Sequence, residues 1–478
     1  MMDLAKHIDA NRSQALATLK ELIEIKSEAA DPVTTSDGEF YPFGSGVQDA
    51  FAYMLSKGRE LGFSVENIDN YGGHIDFGNG EETVGVLGHL DVVPAGSGWE
   101  HDPYGAVTED GYLIGRGTTD DKGPLVAAFY AMKSLKDAGY EPHRKIRLIL
   151  GLDEETAWKG IEYYFSKVEA PTFGITPDAD FPVINGEKGL MLFELAKKLS
   201  KGNLRGLQLS KLSGGEAPNM VPGFARAVVR SDEKNAYENI KEKLAAFEES
   251  TGYKLKSKGA GKSLEISCRG IPCHGATPEK GLNAISVLME FLGSLNFANE
   301  DVNEFIEFYN KHIGFNIDGS EIGIGFEDEK SGKLSLNNGL ITYDKDAVSV
   351  NINVRYPVSF DADKVYEAMT PILDSYGIGI MKLMDSPPLF FDDDSRLIKT
   401  LMEVYREETG DEENGPLVTG GGTYARACPN TVAFGGLFPG DPDIMHQKNE
   451  KISIDRFNKM IDIYAKALYR LTQKEFKI

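Results

Sequence analysis

The chain has 478 residues, more than one hydrophobic core of roughly 250 to 300 residues holds, so two domains are expected. Hydrophobic residues make up 41% and charged residues 26%, the balance of an ordinary globular protein and not of a disordered or membrane-embedded one. With 51 basic against 74 acidic residues the net charge is −23, which repels phosphate backbones and anionic lipid and argues against nucleic acid or membrane as a partner.

The opening, Met1 to Arg12, is charged where a secretory leader would be apolar. No window approaches the roughly 18 to 20 apolar residues of a membrane span, so a cytoplasmic location is expected. From Arg12 to Ser27, Leu16, Leu19, Leu22 and Ile23 recur at helical spacing and predict an amphipathic helix. Short β-rich runs follow at Val84–Leu87, Ile146–Leu150 and Thr431–Phe434, with a helical stretch Pro124–Ala138 between the first two. Such alternation predicts an α/β fold with a mostly parallel sheet covered by helices. Between about Leu190 and Met384 the texture changes. Runs such as Ala225–Arg230, Leu264–Arg269 and Ala347–Arg355 interleave with helical stretches Asn235–Ser250 and Leu282–Leu295, the pattern of an inserted α/β domain. The expected division is 1–188 and 385–478 for the first domain and 189–384 for the insert, which is long enough for two related α/β halves. Cys268, Cys273 and Cys428 form no C-x-x-C pair and read as reduced, buried thiols of a reducing compartment.

Three of the strand-like runs lead straight into acidic or imidazole residues: Leu87-Gly88-His89-Leu90-Asp91, Leu152-Asp153-Glu154-Glu155 and Gly174-Ile175-Thr176-Pro177-Asp178. Ligands of open α/β sheets sit at such carboxyl ends. A Gly-flanked segment, Gly115-Arg116-Gly117-Thr118-Thr119-Asp120-Asp121-Lys122-Gly123, adds two carboxylates before a helix, and Ile444-Met445-His446 adds a second imidazole. A lone histidine is more often a surface or satisfied core residue, and Asp-Asp is commonly a solvated turn. Together, however, imidazoles and carboxylates suit Zn²⁺, Mn²⁺ or Co²⁺, and two such ions need one bridging ligand plus an imidazole and a carboxylate each.

In the same order, these five segments resemble the site of the M20 metallopeptidases, nearest to the bacterial dipeptidase V type. The interrupted layout with a lid insert is similar as well. The resemblance implies a zinc-peptidase catalytic domain in which His89 and Asp178 hold one of two Zn²⁺ ions, with Mn²⁺ or Co²⁺ as alternatives. Glu155 and His446 would hold the other, Asp120 would bridge, and Glu154 would be the general base. Register favours Asp120 over Asp121 as the bridge, with Asp121 and Lys122 shaping the turn. Asp91 is placed to accept the proton of the non-ligating nitrogen of His89. An extended backbone at Glu154 and Glu155 would point the two carboxylates opposite ways. Within the insert, Pro272 to Gly281 resembles the family's lid motif, which makes His274 the candidate oxyanion donor, against the plainer reading of a turn histidine. Asn219, Arg355 and the run holding Gly421, Gly422, Thr423 and Arg426 match positions that grip the ends of the substrate. Arginine forks and glycine N–H groups suit a carboxylate, while surface ion pairing is the alternative for both arginines.

The implied activity is hydrolysis of unblocked dipeptides, with a small peptide as substrate, in a monomer whose own lid supplies His274. Two other readings stay open. A deacylase of N-acyl amino acids, of the acetylornithine or succinyl-diaminopimelate type, would use the same metals and base. A non-catalytic metal- or peptide-binding protein would have no use for a second carboxylate beside Glu155.

Overall fold

In the computed structural model, which describes residues 4–201, 205–233, 235–344 and 346–478, side-chain alternation along short strands sets the layering of the first unit. Val84, Val86, Ile146, Leu148 and Leu150 enter the main core, while Leu87 and Ile149 enter a smaller cluster with Ile161, Tyr164 and Tyr424. The sheet thus buries both faces. The main core is built from the helices Leu4–Ile23, Ser45–Glu60, Lys122–Asp137, Arg396–Thr409 and Ile454–Leu471, and Lys159–Lys167 contributes to the smaller cluster. Lys122–Asp137 is buried on nearly every side, as expected of a helix that packs against helices Leu4–Ile23 and Ile454–Leu471 as well as the sheet.

This unit comprises Met1–Asn185, Phe391–Leu417 and Gly422–Ile478. Seven strands of its main sheet run in the spatial order Ile184–Glu187, Thr431–Ala433, Phe173–Thr176, Thr83–His89, Lys145–Gly151, Gly72–Phe77 and Ser64–Ile68. The pairs from Thr431–Ala433 to Lys145–Gly151 are parallel, and the flanking pairs on both sides are antiparallel. The first helix begins earlier than the spacing of Leu16 to Ile23 predicts. Ile8 also enters the core, and Asn11 donates to Ser134 Oγ at 3.1 Å and Asp137 Oδ2 at 3.0 Å. Among the described residues, no helix is long and apolar enough to cross a membrane.

The second unit comprises Gly186–Phe390 and Val418–Gly421, the latter a short return outside the predicted insert. Eight of its strands form one antiparallel sheet in the order Leu255–Ala260, Ser263–Arg269, Phe224–Arg230, Gln208–Gly214, Ser335–Tyr343, Ala347–Tyr356, Gly189–Lys198 and Gly379–Ser386. The segments on either side of helix Ala284–Leu292 therefore share a continuous sheet. From Gly189 to Lys197 the strand Gly189–Lys198 alternates between buried and half-buried positions, one face carrying Met191, Phe193 and Leu195 into a core shared with helices Ala236–Thr251, Ala284–Leu292, Glu300–His312 and Ala362–Tyr376.

Asn283 fixes the start of Ala284–Leu292. Its Oδ1 accepts the N–H groups of Ile285 at 2.9 Å and Ser286 at 3.3 Å, and its Nδ2 donates to the carbonyl and side-chain oxygens of Asn338, each at 2.9 Å. Asn283→Ala should destabilise this unit by about 1–2 kcal/mol, since an N-cap and bonds to a buried amide are lost together. Urea denaturation of the variant measures this, and an unchanged midpoint would show that the cap does not hold the helix.

Candidate active site

Three neighbouring parallel strands deliver the chemistry of the first unit at their carboxyl ends: His89 closes Thr83–His89, Asp153 to Glu155 follow Lys145–Gly151, and Asp178 follows Phe173–Thr176. His89 is fully buried. Its Nδ1 lies 2.9 Å from the carbonyl oxygen of Asp91, so the proton sits there as a donor. Its Nε2 faces Asp120 Oδ1 at 3.0 Å and Asp178 Oδ2 at 3.6 Å. The second imidazole, His446, stands with Nε2 at 2.7 Å from Asp120 Oδ2 and 3.1 Å from Glu155 Oε1. Asp120 thus turns one oxygen to each imidazole.

Two sequence expectations change in detail. The Asp91 carboxylate is 3.5 Å from His89 Nδ1, farther than the Asp91 carbonyl, and is taken up elsewhere. Its two oxygens accept the backbone N–H groups of Glu154 and Glu155, both at 3.1 Å. Those donors exist because the backbone at Glu154 and Glu155 is a turn, not the extended segment expected, so the two carboxylates part by turn geometry and not by strand alternation. Trp158 closes the turn with a left-handed backbone (φ 58°) and an indole N–H donated to the Glu154 carbonyl at 2.8 Å. Of the adjacent aspartates, Asp121 accepts the N–H of His89 through Oδ2 at 3.1 Å and serves the backbone. Lys122, also buried, donates to the carbonyls of Leu22 at 3.0 Å and Ile25 at 2.8 Å, which stitches this loop to the end of the first helix.

The cluster is short of positive charge. Burial, then the negative charge of Asp178, pushes the Glu154 carboxyl well above its usual range, and Asp121 is raised for the same reasons. Burial, then Asp120, raises Glu155 to about 7. Asp120 runs the other way: burial would raise it, but hydrogen bonds from His446 and His89 hold it well below the carboxylate range. Against the loss of solvation, bonds to Asp120 and Glu155 lift His446 to about 11. Protons are retained where a divalent cation would supply the same compensation. Donor atoms of His89, Glu154 and Asp178 lie within 4.8 Å of one another, as do those of His89, Asp120 and Glu155. Imidazole nitrogens and carboxylate oxygens at this spacing fit Zn²⁺, Mn²⁺ or Co²⁺. Proximity alone does not separate a ligand from a base here. Glu155 pairs with His446, however, while among the described residues the Glu154 side chain makes no hydrogen bond.

The remaining predicted residues divide between the units. In the second, His274 bridges to Met220, Gly275 donates its N–H to the Asn219 carbonyl at 2.7 Å, and His274 Nδ1 accepts the Ala276 N–H at 3.4 Å. His274 and Asn219 thus lie on paired loops. Arg355 is 5% exposed, and its guanidinium donates to Asn353 Oδ1 and the Gly420 carbonyl, which rules out a solvent-exposed surface pair. The Gly421 N–H donates to Thr419 Oγ1 at 3.0 Å. Gly422, Thr423 and Arg426 belong to the first unit, where Thr423 caps a short 3₁₀ turn by accepting the Ala425 N–H and the Arg426 side chain lies against Gly422. Tyr424 on that turn is buried edge-on to His89 and to Trp158, with no signal of such a role in the sequence. Cys268 and Cys428 are buried free thiols as expected, but Cys273, on the lid loop, is half-exposed.

Comparison with known proteins places these features in a family. The pattern of "Peptidase family M20/M25/M40" matches residues 85–470. A protein of Staphylococcus epidermidis named putative dipeptidase is 36% identical over 468 residues, covering 96% of this chain and 97% of the relative. A putative dipeptidase of Staphylococcus aureus strain USA300 is 36% identical over 469 residues, 97% of this chain and 98% of its own. Among solved structures, human carnosine dipeptidase 1 is similar with a TM-score of 0.55 at 16% identity, covering 98% of both chains. A tripeptidase from Staphylococcus aureus gives a TM-score of 0.56 at 15% identity, with 97% of this chain and 99% of that one covered. At those identities the structural likeness speaks for the fold.

Gly88, just before His89, has a physical reason to be glycine: a methyl group there would collide with the Asp121 carboxylate and the Leu125 side chain. Gly88→Ala should cost about 1–3 kcal/mol of stability through overpacking. Thermal unfolding of the metal-free variant reads this, and a wild-type midpoint would mean that Asp121 yields without cost.

Proposed function

We propose that this chain, which belongs to Peptidase family M20/M25/M40, is a two-metal dipeptidase that hydrolyses the peptide bond of unblocked dipeptides in the cytoplasm. The observation that carries this reading is the Asp120 carboxylate set between two imidazoles, with a Glu154 side chain that makes no hydrogen bond among the described residues. Relatives named putative dipeptidases over almost their whole length support the substrate class, and three free cysteines fit a reducing compartment.

In this reading His89 and Asp178 would hold one cation, Glu155 and His446 would hold the other, and Asp120 would serve both. Zn²⁺ is the proposed ion, with Mn²⁺ and Co²⁺ suited to the same donors. When bound, the ions supply Lewis acidity and lower the pKa of water in the site. Glu154 takes the proton of the attacking water and returns it to the leaving amine. Asp91 holds the turn that keeps Glu154 and Glu155 apart, so one carboxylate stays available for proton transfer while the other pairs with His446. On the second unit, His274 donates to the carbonyl oxygen as negative charge develops. Asn219, Arg355, Gly421, Gly422, Thr423 and Arg426 hold the substrate's ends, with the buried Arg355 guanidinium as the partner for a carboxylate.

A strong chelator should abolish hydrolysis, and Zn²⁺, Mn²⁺ or Co²⁺ should restore it. In a panel, unblocked dipeptides should turn over well above N-acyl amino acids. Faster cleavage of acetylornithine or succinyl-diaminopimelate would replace the dipeptidase by a deacylase, and full activity of protein shown metal-free by elemental analysis would end the two-metal reading.

Two variants separate the roles. Glu154→Ala should lose nearly all kcat with metal content unchanged. His274→Ala should lose about 10² to 10³ in kcat, also with metals in place. A monomer carries its own His274, so mixing the two inactive proteins should restore nothing. Recovered activity in the mixture would mean that the histidine is shared between subunits.

A further inference from the structure

One buried carboxylate outside the proposed ligand set ties together the two loops that carry Asp120 and His446. Glu450 has no exposed surface, and its nearest cation, Arg116, is 1% exposed. Glu450 Oε2 accepts Nη1 of Arg116 at 2.5 Å. Glu450 Oε1 gathers the N–H of Gly117 at 3.1 Å, the N–H of Thr119 at 2.9 Å and the hydroxyl of Thr119 at 2.9 Å. The Glu450 carbonyl accepts the N–H of Gly115 at 2.9 Å, and the strand that follows, Lys451–Ser453, pairs with Tyr112–Ile114 in antiparallel register. The Arg116 guanidinium is backed by the Trp99 ring, 5.4 Å from its centroid. All of these contacts lie in the first unit.

The placement has a consequence for the site. Thr119 immediately precedes Asp120, and Glu450 follows closely on His446 in the chain. The separation of Asp120 Oδ2 from His446 Nε2, 2.7 Å, therefore depends on how these two loops are held against each other. Two backbone N–H groups, one hydroxyl and one guanidinium fix that register. A buried charge is costly to keep unless it is fully bonded, and this one is bonded on both oxygens. Its bonds reach the loop of Asp120 but not Asp120 itself, the arrangement of an outer carboxylate that orients ligands without joining them.

We propose that Glu450 is a positioning residue: by locking the Gly115–Thr119 turn to the segment that carries His446, it sets the distance between Asp120 and His446 and so the affinity for the cation they share. This inference rests on the two-metal reading. Glu450→Gln keeps the length of the side chain but must turn its NH₂ toward either Arg116 or the Gly117–Thr119 donors, so one side meets donor against donor.

The test is calorimetric titration of metal-stripped protein with Mn²⁺ and with Zn²⁺, together with thermal unfolding of the metal-free forms. Wild type should take up two ions. Glu450→Gln should fold and bind one of them about 10- to 100-fold more weakly, with the other weakened less. A purely structural role would lower the metal-free melting temperature and leave both affinities of the folded protein unchanged, which would overturn the proposal. Wild type that binds no ion would instead overturn the two-metal reading itself. Should Glu450→Gln fail to fold, Thr119→Val removes only the hydroxyl donor and leaves the backbone bonds. It should weaken the same ion several-fold, and wild-type affinity in Thr119→Val would equally overturn the positioning role.

Discussion

Burying many carboxylates together is the constraint from which the site follows. Asp91, Asp120, Asp121, Glu154, Glu155 and Asp178 meet two imidazoles at the carboxyl ends of three parallel strands. A buried anion without compensation costs several kcal/mol, so each of these groups needs a donor or a positive charge. The compensation is unequal, and the inequality sorts them by use. Asp91 and Asp121 are answered by backbone N–H groups from Glu154, Glu155 and His89, which leaves them committed to holding the backbone. Among the described residues Asp120 is answered by the imidazoles of His89 and His446, and Asp178 by His89 at 3.6 Å with His446 contributing positive charge. Groups whose partners are all imidazoles are the ones that an added cation would compensate best. Among the described residues the Glu154 side chain makes no hydrogen bond, which suits it to the proton transfer proposed for it.

The parallel centre of the sheet makes this crowding achievable. Adjacent parallel strands point their carboxyl ends the same way, so residues distant in sequence leave the sheet at one edge. Because the flanking strands are antiparallel, only the central ones deliver side chains there in concert. Helix Lys122–Asp137 lies against these strands and begins directly after Asp121, so the loop bearing Asp120 reaches the same edge. Packing therefore places the residues, and electrostatics decides their protonation.

Much of this is legible in the sequence. Val84–Leu87, Ile146–Leu150 and Thr431–Phe434 show as strands because each is a short β-branched or apolar run bounded by turn residues, and each proves to be a strand within a residue or two. His89, Asp120, Glu154, Glu155, Asp178 and His446 are weak signals singly and are marked by the five ordered segments that resemble the M20 site. What the sequence hides is conformation and long-range pairing. Nothing in Asp153-Glu154-Glu155 signals a turn, since its donors are matched by Asp91, far away in the chain. Glu450 is one acidic residue among many until its bonds to Arg116, Gly117 and Thr119 are seen. Val418–Gly421 reads as part of the first domain because its four residues carry no pattern, yet its contacts assign it to the second unit.

The two imidazoles are not equivalent, and the backbone explains why. His89 ends a central strand, is fully enclosed, and has its tautomer fixed by the Asp91 carbonyl. His446 stands on an irregular segment with a left-handed backbone (φ 62°), a conformation unfavourable for a side chain of this size, and its ring is 52% exposed. Asn449, three residues on, is left-handed as well, with φ 60°. A segment of this kind contributes little packing of its own, so its geometry must come from bonds to something rigid. Asp120 and Glu155 hold the ring itself, and the buried Glu450 holds the segment's end. The exposed imidazole thus inherits its precision from the enclosed part of the site, and the carboxylate facing both imidazoles is the side chain through which that order passes.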